Sequence, residues 1–385
     1  MKSSLVAVAL AGLFSGSVFA NNFPVEPSLA ELHAYKAYHH AEYMKETAKQ
    51  AGGTNVLLHT TTLPTEGTDP VVTPALDHLY TKAVIDLTSG PVILEVPKVE
   101  ENRYFSIMVT DQEHYVTFDE IRPEGQYVFV RHDYQGPISD GKVIESRSDY
   151  PHLFIRTQVK TQDDLKNTLA IQKEIKLTGK VGELEYENAI QFTLDTHDVY
   201  PQNEGILAEA VNYDSEDHQA MFQWAGQYFA QKITDNTGMF GPIDSVEPKS
   251  QDPRVRAAAI VGHLGLPVDH AYYTGIFNQC NGDSLNGDTP YVVTMPYSNN
   301  VSEFWSITRY SAATRNTLPN SNDVYNAYNT KPNADGNIQI TFSVEDPKDG
   351  SYWMPVNTGE PYYYVERFYG PEVGKVITTQ DFCNQ

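Results

Sequence analysis

The sequence predicts a mainly β protein with α: two antiparallel β-sandwich domains, one immunoglobulin-like and one jelly-roll-like, joined by a helical segment. Short runs rich in Val, Ile, Tyr and Phe recur before residue 159 and after residue 271, broken by Gly, Pro and Asn. Between those regions the apolar spacing lengthens to that of helices. The chain has 385 residues, 40% hydrophobic and 20% charged, which suits two or three globular domains.

The elements follow in order. Residues 1–20 read as a signal peptide: Lys2 is the basic start, Leu5 to Phe14 the apolar core, and Val18-Phe19-Ala20 the small-x-small cleavage site. The apolar run is too short to span a bilayer, so a periplasmic or secreted protein is expected, with no membrane insertion after cleavage. Residues 21–53 hold a helix. Ser28 and Glu31 form a capping box, and Gly52-Gly53 stops it. On it His33 and His40 share one face, His39 and Tyr43 another. No further ligand stands at close spacing, so these read as surface or interface histidines and no metal site is expected.

Residues 54–159 form the first sandwich. Asp77 to Leu87, Val92 to Pro97 and Arg103 to Asp111 are strands, with Ser89-Gly90-Pro91 as a turn. Their short breaks predict antiparallel neighbours, since parallel strands need a long crossover. Gln126 to Val130 and Leu153 to Ile155 add strands. Residues 160–270 are the helical linking region, with helices from Asp163 to Ile175, from Ser215 to Ile233, and from Asp252-Pro253 to just before Gly265.

Residues 271–385 return to strands at Tyr291–Met295, Phe304–Tyr310, Ile338–Val344 and Tyr362–Phe368. Asp335-Gly336 reads as a hairpin turn. Asn333, Asp335 and Asn337 alternate like calcium ligands, but Gly336 is misplaced for an EF-hand loop, which favours a plain turn. In an oxidising compartment Cys280 and Cys383, the sole cysteines, are expected to form a disulfide.

The two strand-rich regions echo each other. Asp77 precedes Tyr80 as Asp288 precedes Tyr291; Tyr104-Phe105-Ser106-Ile107 parallels Phe304-Trp305-Ser306-Ile307; and Arg131 to Pro137 parallels Arg367 to Pro371. Related, facing sandwiches would place a ligand in the cleft between them. The expected site takes Asp77 and Asp288 as catalytic carboxylates. Tyr80, Arg103, Tyr104, Tyr291, Trp305, Arg309, Arg367 and Tyr369 are the expected substrate-binding groups. The competing reading is that each Asp caps a turn, each Arg pairs at a strand end, and the aromatics fill the core.

Composition narrows the partners. A formal charge of -23 repels phosphate, which disfavours nucleic acid and anionic membrane surfaces. The sequence contains no Gly-x-Ser-x-Gly, His-Glu-x-x-His, glycine-rich phosphate loop or Cys-x-x-Cys, so no cofactor is expected. A small-molecule ligand is expected, and oligomeric state, a homo-oligomer included, is left open.

The order Asp77, Leu79-Tyr80, Asp86-Leu87, Gly90-Pro91, Val96-Pro97 and Arg103-Tyr104, continuing to Gly136-Pro137, Arg156-Thr157 and Asp164-Leu165, resembles the domain of unknown function 1254. Phe304-Trp305-Ser306, Asp335-Gly336, Trp353-Met354-Pro355 and Arg367 to Pro371 resemble its usual partner, the domain of unknown function 1214. Two departures stand out. The family's Pro-Asn is here Pro74-Ala75-Leu76, and its Asn-Trp-Leu-Pro is Tyr352-Trp353-Met354-Pro355, so any site built on those Asn residues is altered. The function expected is a hydrolase-like enzyme for a small uncharged organic molecule; the alternative is a non-catalytic module for saccharide or envelope material.

Overall fold

In the computed structural model, which describes residues 26–64, 73–203, 205–246, 252–318 and 322–384, the three opening strands of the first sheet region do not lie side by side. The signal-peptide reading falls outside the described residues. Strands β1 (Leu58–His59), β2 (His78–Val84), β3 (Val92–Val96), β4 (Phe105–Thr110), β5 (Val116–Ile121), β6 (Gly125–Arg131), β7 (Lys142–Ser146), β8 (His152–Gln158) and β9 (Lys176–Thr178) form two sheets. Their orders are β1-β2-β8-β4-β5 and β7-β6-β3-β9. The expected tandem pairing is therefore corrected: the turn at Gly90 carries the chain from one sheet to the other. The reason is burial. Ala83, Ile107 and Ile155 of one sheet and Leu94, Phe129 and Ile144 of the other share one core, and both inner faces are covered only if β2 and β3 lie opposite.

Strands β10 (Ala271–Ile276), β11 (Tyr291–Pro296), β12 (Val301–Ser311), β13 (Val324–Asn326), β14 (Asn337–Ser343), β15 (Tyr352–Pro355) and β16 (Tyr362–Pro371) form two more sheets, β10-β16-β12-β13 and β11-β14-β15. Trp305, Ile307 and Phe368 meet Val293, Ile340 and Phe342 in a second core. Asp335-Gly336 makes a turn, with Asn333 Oδ1 accepting from the Asp335 and Asn337 amides, but the strand after it pairs with β11 and β15, so it closes no hairpin.

The two strand sets repeat one frame. Order β2-β8-β4-β5 matches β10-β16-β12-β13 strand for strand in the chain, with every pair antiparallel. In the second sheets β3 and β6 pair antiparallel and β6 and β7 parallel, as do β11, β14 and β15. The match reaches register. Arg156 on β8 lies between Tyr80 and Ser106; Arg367 on β16 lies between Tyr273 and Ser306. This supports the Ser106–Ser306 echo and corrects the other two. Tyr291 belongs to β11, the counterpart of β3 rather than of β2, and Arg131 belongs to β6, whereas Arg367 is the counterpart of Arg156. Short dipeptides recur wherever strands end, and pairing, not local sequence, decides which ends correspond.

The chain divides into two units: Phe23–Thr61 with His78–His270, and Thr62–Asp77 with Ala271–Gln385. The helices α1 (Leu29–Ala51), α2 (Leu165–Glu174), α3 (Ala189–Thr196), α4 (Ser215–Lys232), α5 (Ile243–Val246) and α6 (Pro253–Ala259) belong to the first unit, so the stretch expected to link two domains is part of one. Helix α1 starts at the Ser28–Glu31 capping box and ends at Gly52, whose φ of 88° is the left-handed turn that favours glycine. In the second unit Cys280 and Cys383 are joined by a disulfide.

Candidate functional site

Side chains alternate along a strand, so the residues that fill the first core dictate which ones face away from it. On β8, Leu153 and Ile155 are core; His152, Phe154 and Arg156 face the other way. On β4, Ile107 and Val109 are core, which turns Ser106, Met108 and Thr110 outward. Yet all of these residues are buried. Helix α1 lies over this face: Ala41 and Met44 pack with Val84 of β2. Helices α4 and α6 pack with Leu32 and Tyr35 of α1. A polar layer is thereby shut between sheet and helices.

Histidines dominate that layer. Helix α1 supplies His39 and His40, the turn after β4 supplies His114, β8 supplies His152, and the segment after α6 supplies His263. Ring centroids lie 4.3 Å apart for His40 and His114, 5.0 Å for His39 and His263, 5.7 Å for His114 and His263, and 5.7 Å for His40 and His152. Both ring nitrogens of His40, His114 and His152, and Nε2 of His39 and His263, have no hydrogen-bond partner among the described residues. Burial holds the imidazolium form of His39, His114 and His152 well below the usual histidine range, and neighbouring rings add to the effect. The same causes bring His40 down to about 3, and burial with the nearby Lys82 does so for His263. These are neutral imidazoles, able to give or accept a hydrogen bond. Of the α1 histidines expected at the surface or at an interface, His40 is buried and His33 and His39 are half-buried, on a helix that packs onto the sheet.

His114 is held by an unusual turn. Its φ is 62°, in the left-handed region that a residue with a Cβ seldom adopts. Asp111 Oδ1 accepts the amides of Glu113 and Tyr115 at 2.9 and 3.0 Å, and Asp111 Oδ2 accepts the Tyr200 hydroxyl at 2.8 Å. Arg256 of α6 donates to the Glu113 carbonyl at 3.2 Å and to the Met239 carbonyl at 2.7 Å, its guanidinium lying 4.3 Å from the Tyr115 ring centre. Backbone strain of this kind persists where surroundings over-determine it, and it concentrates at functional sites. Beside the turn is a cavity of about 10 Å³, lined by Lys36, Gln112, Glu113 and Asn203 among others, with room for one water. Burial pushes the Glu113 carboxyl up to about 7, against the pull of Lys36, and Asn203 donates to it at 2.5 Å.

The residues expected from sequence are placed as follows. Within the second unit Asp77 is buried, accepts from Asn326 at 2.8 Å, and has its carboxyl raised by burial against the opposing pull of Asn326, Ser306 and Arg367. Arg367 donates to the Thr73 carbonyl at 2.9 Å and lies 5.7 Å from the Tyr310 ring. Tyr369 stacks on Phe304 at 4.4 Å. Asp77 and Arg367 thus come together. Trp305, expected to face a ligand, is a core residue whose indole donates to the Tyr297 carbonyl. Arg309 forms a buried ion pair with Asp323. Tyr291 is core, with its hydroxyl 3.4 Å from Cys280 Sγ. Asp288 is an exposed turn residue whose amide donates to Asn286.

Within the first unit Arg103 is clamped by Asp164 at 2.7 Å and Glu100 at 2.7 Å, a structural ion pair that ties β4 to α2. The Tyr104 hydroxyl lies 3.2 Å from His270 Nε2. Tyr80 is half-buried, 5.8 Å from the Arg156 guanidinium. The sequence reading missed His114, His152, His263, Lys36 and Glu113. One signal was available: β8 alternates core residues with His152, Phe154 and Arg156, a polar face on a strand too apolar to be at the surface.

Among the described residues no helix is long and apolar enough to cross a membrane. The profile for a protein of unknown function, DUF1254, matches residues 54–179, and that for a second protein of unknown function, DUF1214, matches residues 270–373. The crystal structure of the VPA0106 protein from Vibrio parahaemolyticus is similar, with a TM-score of 0.70 and 21% identity over 90% of this chain and 96% of that one. At that identity the likeness speaks for the fold. An uncharacterized protein from Burkholderia cenocepacia aligns over 92% of this chain and 89% of that one, with 15% identity and a TM-score of 0.49. No curated protein matches the chain.

Proposed function

We propose, for a chain that belongs to the family joining a DUF1254 domain to a DUF1214 domain, that it is an exported, hydrolase-like enzyme for a small, largely uncharged organic molecule. Its chemistry would lie in the histidine layer of the first unit. The observation that carries this reading is the set of buried imidazole nitrogens without partners on His40, His114 and His152. A buried polar group left unpaired costs about 1–3 kcal/mol, so several together are retained for a ligand that completes them.

Neutral imidazoles suit hydrolysis of an uncharged ester or lactone. Water oxygen bonds to the carbonyl carbon while one of its protons passes to an imidazole nitrogen. The carbon–oxygen bond to the leaving group then breaks, and the imidazole returns that proton to the departing oxygen. His40 and His114, with ring centres 4.3 Å apart, are the pair placed for this relay. The strong net negative charge agrees with an uncharged substrate, since it repels anions. Asp77 beside Arg367 in the second unit remains the other candidate carboxylate.

A thermal-shift screen of neutral esters, lactones and saccharides tests the reading, because a ligand that binds the folded state raises its melting temperature. The expected result is a hit that is also hydrolysed, with both shift and turnover lost in His114→Asn while the circular dichroism spectrum is kept. A shift and turnover untouched by His114→Asn but lost in Asp77→Asn would move the site to the second unit. Saccharide hits without turnover would favour a binding module.

A further inference from the structure

We propose that Lys36 and Asn203 are joined by an intramolecular isopeptide bond, formed with Glu113 as the acid–base group. The inference is independent of any ligand of the histidine layer. Three elements of the first unit bring the residues together: α1 carries Lys36, the turn after β4 carries Glu113, and a short helical turn, Pro201–Asn203, carries Asn203. Lys36, Glu113 and Asn203 are only 4%, 6% and 5% exposed, and all three line one cavity of about 10 Å³. Glu113 reaches both of the others. Asn203 Nδ2 donates to Glu113 Oε2 at 2.5 Å, and Lys36 is the charge that acts most strongly on the Glu113 carboxyl. Ala37 and Leu207 complete an apolar side of the same cavity, packed in a core with Ala34 and Ile190. A lysine is rarely this buried, and this one shares its cavity with a carboxyl and a primary amide.

The reaction needs no outside reagent. A proton passes from the Lys36 ammonium to the Glu113 carboxylate, because a buried site favours the neutral forms of both groups. The freed Nζ lone pair bonds to Asn203 Cγ, and the carbonyl pair moves onto Oδ1. Glu113 gives its proton to Nδ2 and takes one from Nζ. The pair on Oδ1 then returns, the Cγ–Nδ2 bond breaks, and ammonia leaves. Of the Lys36 ammonium protons, one stays on the new amide, one departs in ammonia and one rests on Glu113. The geometry suits these steps. Glu113 Oε2 already contacts the amide nitrogen that must be protonated to leave, and the Tyr200 amide donates to Oε1 at 3.4 Å. Burial pushes the Glu113 carboxyl up to about 7, against the pull of Lys36 and with the push of Asp111, so it can both hold and release a proton. His33 lines the same cavity but is brought down to about 3 by burial and the Lys36 charge, so it does not compete for the proton. The bond ties α1 to the turn at 201–203, across the residue next to the strained His114.

Mass spectrometry of the full chain, purified folded and then denatured, reads the bond directly. The intact mass should fall short of that of the amino-acid sequence by one ammonia, and a digest should yield a branched peptide holding both Lys36 and Asn203. Glu113→Gln, Lys36→Arg and Asn203→Ala should each restore the ammonia, with circular dichroism reporting whether the fold is kept. Asn203→Asp should lose one water instead, because the leaving group changes. The wild-type digest decides the matter even where a variant fails to fold. Separate linear peptides for Lys36 and Asn203 from the folded wild-type chain overturn the inference. So does an ammonia loss that persists in Lys36→Arg, or one that maps to Asn281 or Asn286, each followed by glycine, where closure to a succinimide also releases ammonia.

Discussion

The two units share a seven-strand frame and differ in what they do with its outer face. In the first, β2-β8-β4 carries Arg156, His152 and Ser106 outward and helices close over them. In the second, the equivalent β10-β16-β12 carries Arg367 and Ser306 outward, and the segment 73–77 is strapped to it by Thr73, Pro74 and Asp77. The second unit has no α-helix among its described residues and is cross-linked by Cys280–Cys383. The cores differ at one telling position. Ile107 faces Ile155 in the first unit, whereas the equivalent Ile307 faces Glu366. A shared frame thus fixes the strands, and the insertions and substitutions laid on it decide where polar chemistry collects.

The largest effect should separate the units by their cross-link. A disulfide with a sequence separation of 103 restrains the unfolded chain by about 5 kcal/mol. Replacing both Cys280 and Cys383 by Ala should speed hydrogen exchange across β10–β16 and leave β2–β8 protected. Equal loss in both strand sets would mean that the units do not behave as distinct. Next come the matched core residues. Ile107→Ala and Ile307→Ala, at fully buried equivalent sites, should each cost about 3 kcal/mol in denaturant titrations. A difference beyond about 2 kcal/mol would show that the repeated frame does not repeat its packing.

Glu366 sharpens the contrast through pH. Burial raises its carboxyl to about 7 from 4.5, while Thr379 hydrogen bonds oppose the shift. The folded chain therefore keeps this proton where the unfolded chain has released it. That stabilisation is complete below about 4.5 and is lost as pH rises through 7. Glu366→Gln should remove a pH-dependent term of as much as about 3 kcal/mol across that window; an unchanged slope would show that the carboxyl is already ionised when folded. The smallest effect concerns the helix that shuts the histidine layer. Ser28→Ala removes a cap that accepts from Glu31 at 3.2 Å, and should cost about 1 kcal/mol by thermal melt.

Much of the fold was legible because its signals are local. Ser28 with Glu31, Gly52, and Asp252 before Pro253 marked helix ends that the structure places there. The runs at Tyr291, Phe304, Ile338 and Tyr362 became strands with ends shifted by a few residues. Which strand joins which sheet was not legible, because β2 pairs with β8 across a long stretch of chain and a Ser-Gly-Pro turn looks the same in a hairpin and in a crossing between sheets. The site was hidden for a related reason. His39, His114, His152 and His263 are far apart in the chain, and a search for ligands at close spacing sees only His39 and His40. Arg103 and Arg309 were expected to bind substrate, and each is an ion-pair partner instead, as the competing reading of a strand-end Arg has it.

The candidate site depends on neutral, shielded imidazoles in the first unit. Long-range ¹H–¹⁵N spectra of histidine-labelled protein, recorded from pH 5 to 8, measure this directly. His39, His40, His114, His152 and His263 should stay neutral throughout that range and shift when ligand is added. Five rings that titrate together near the ordinary histidine value would show a layer open to water and would contradict the site.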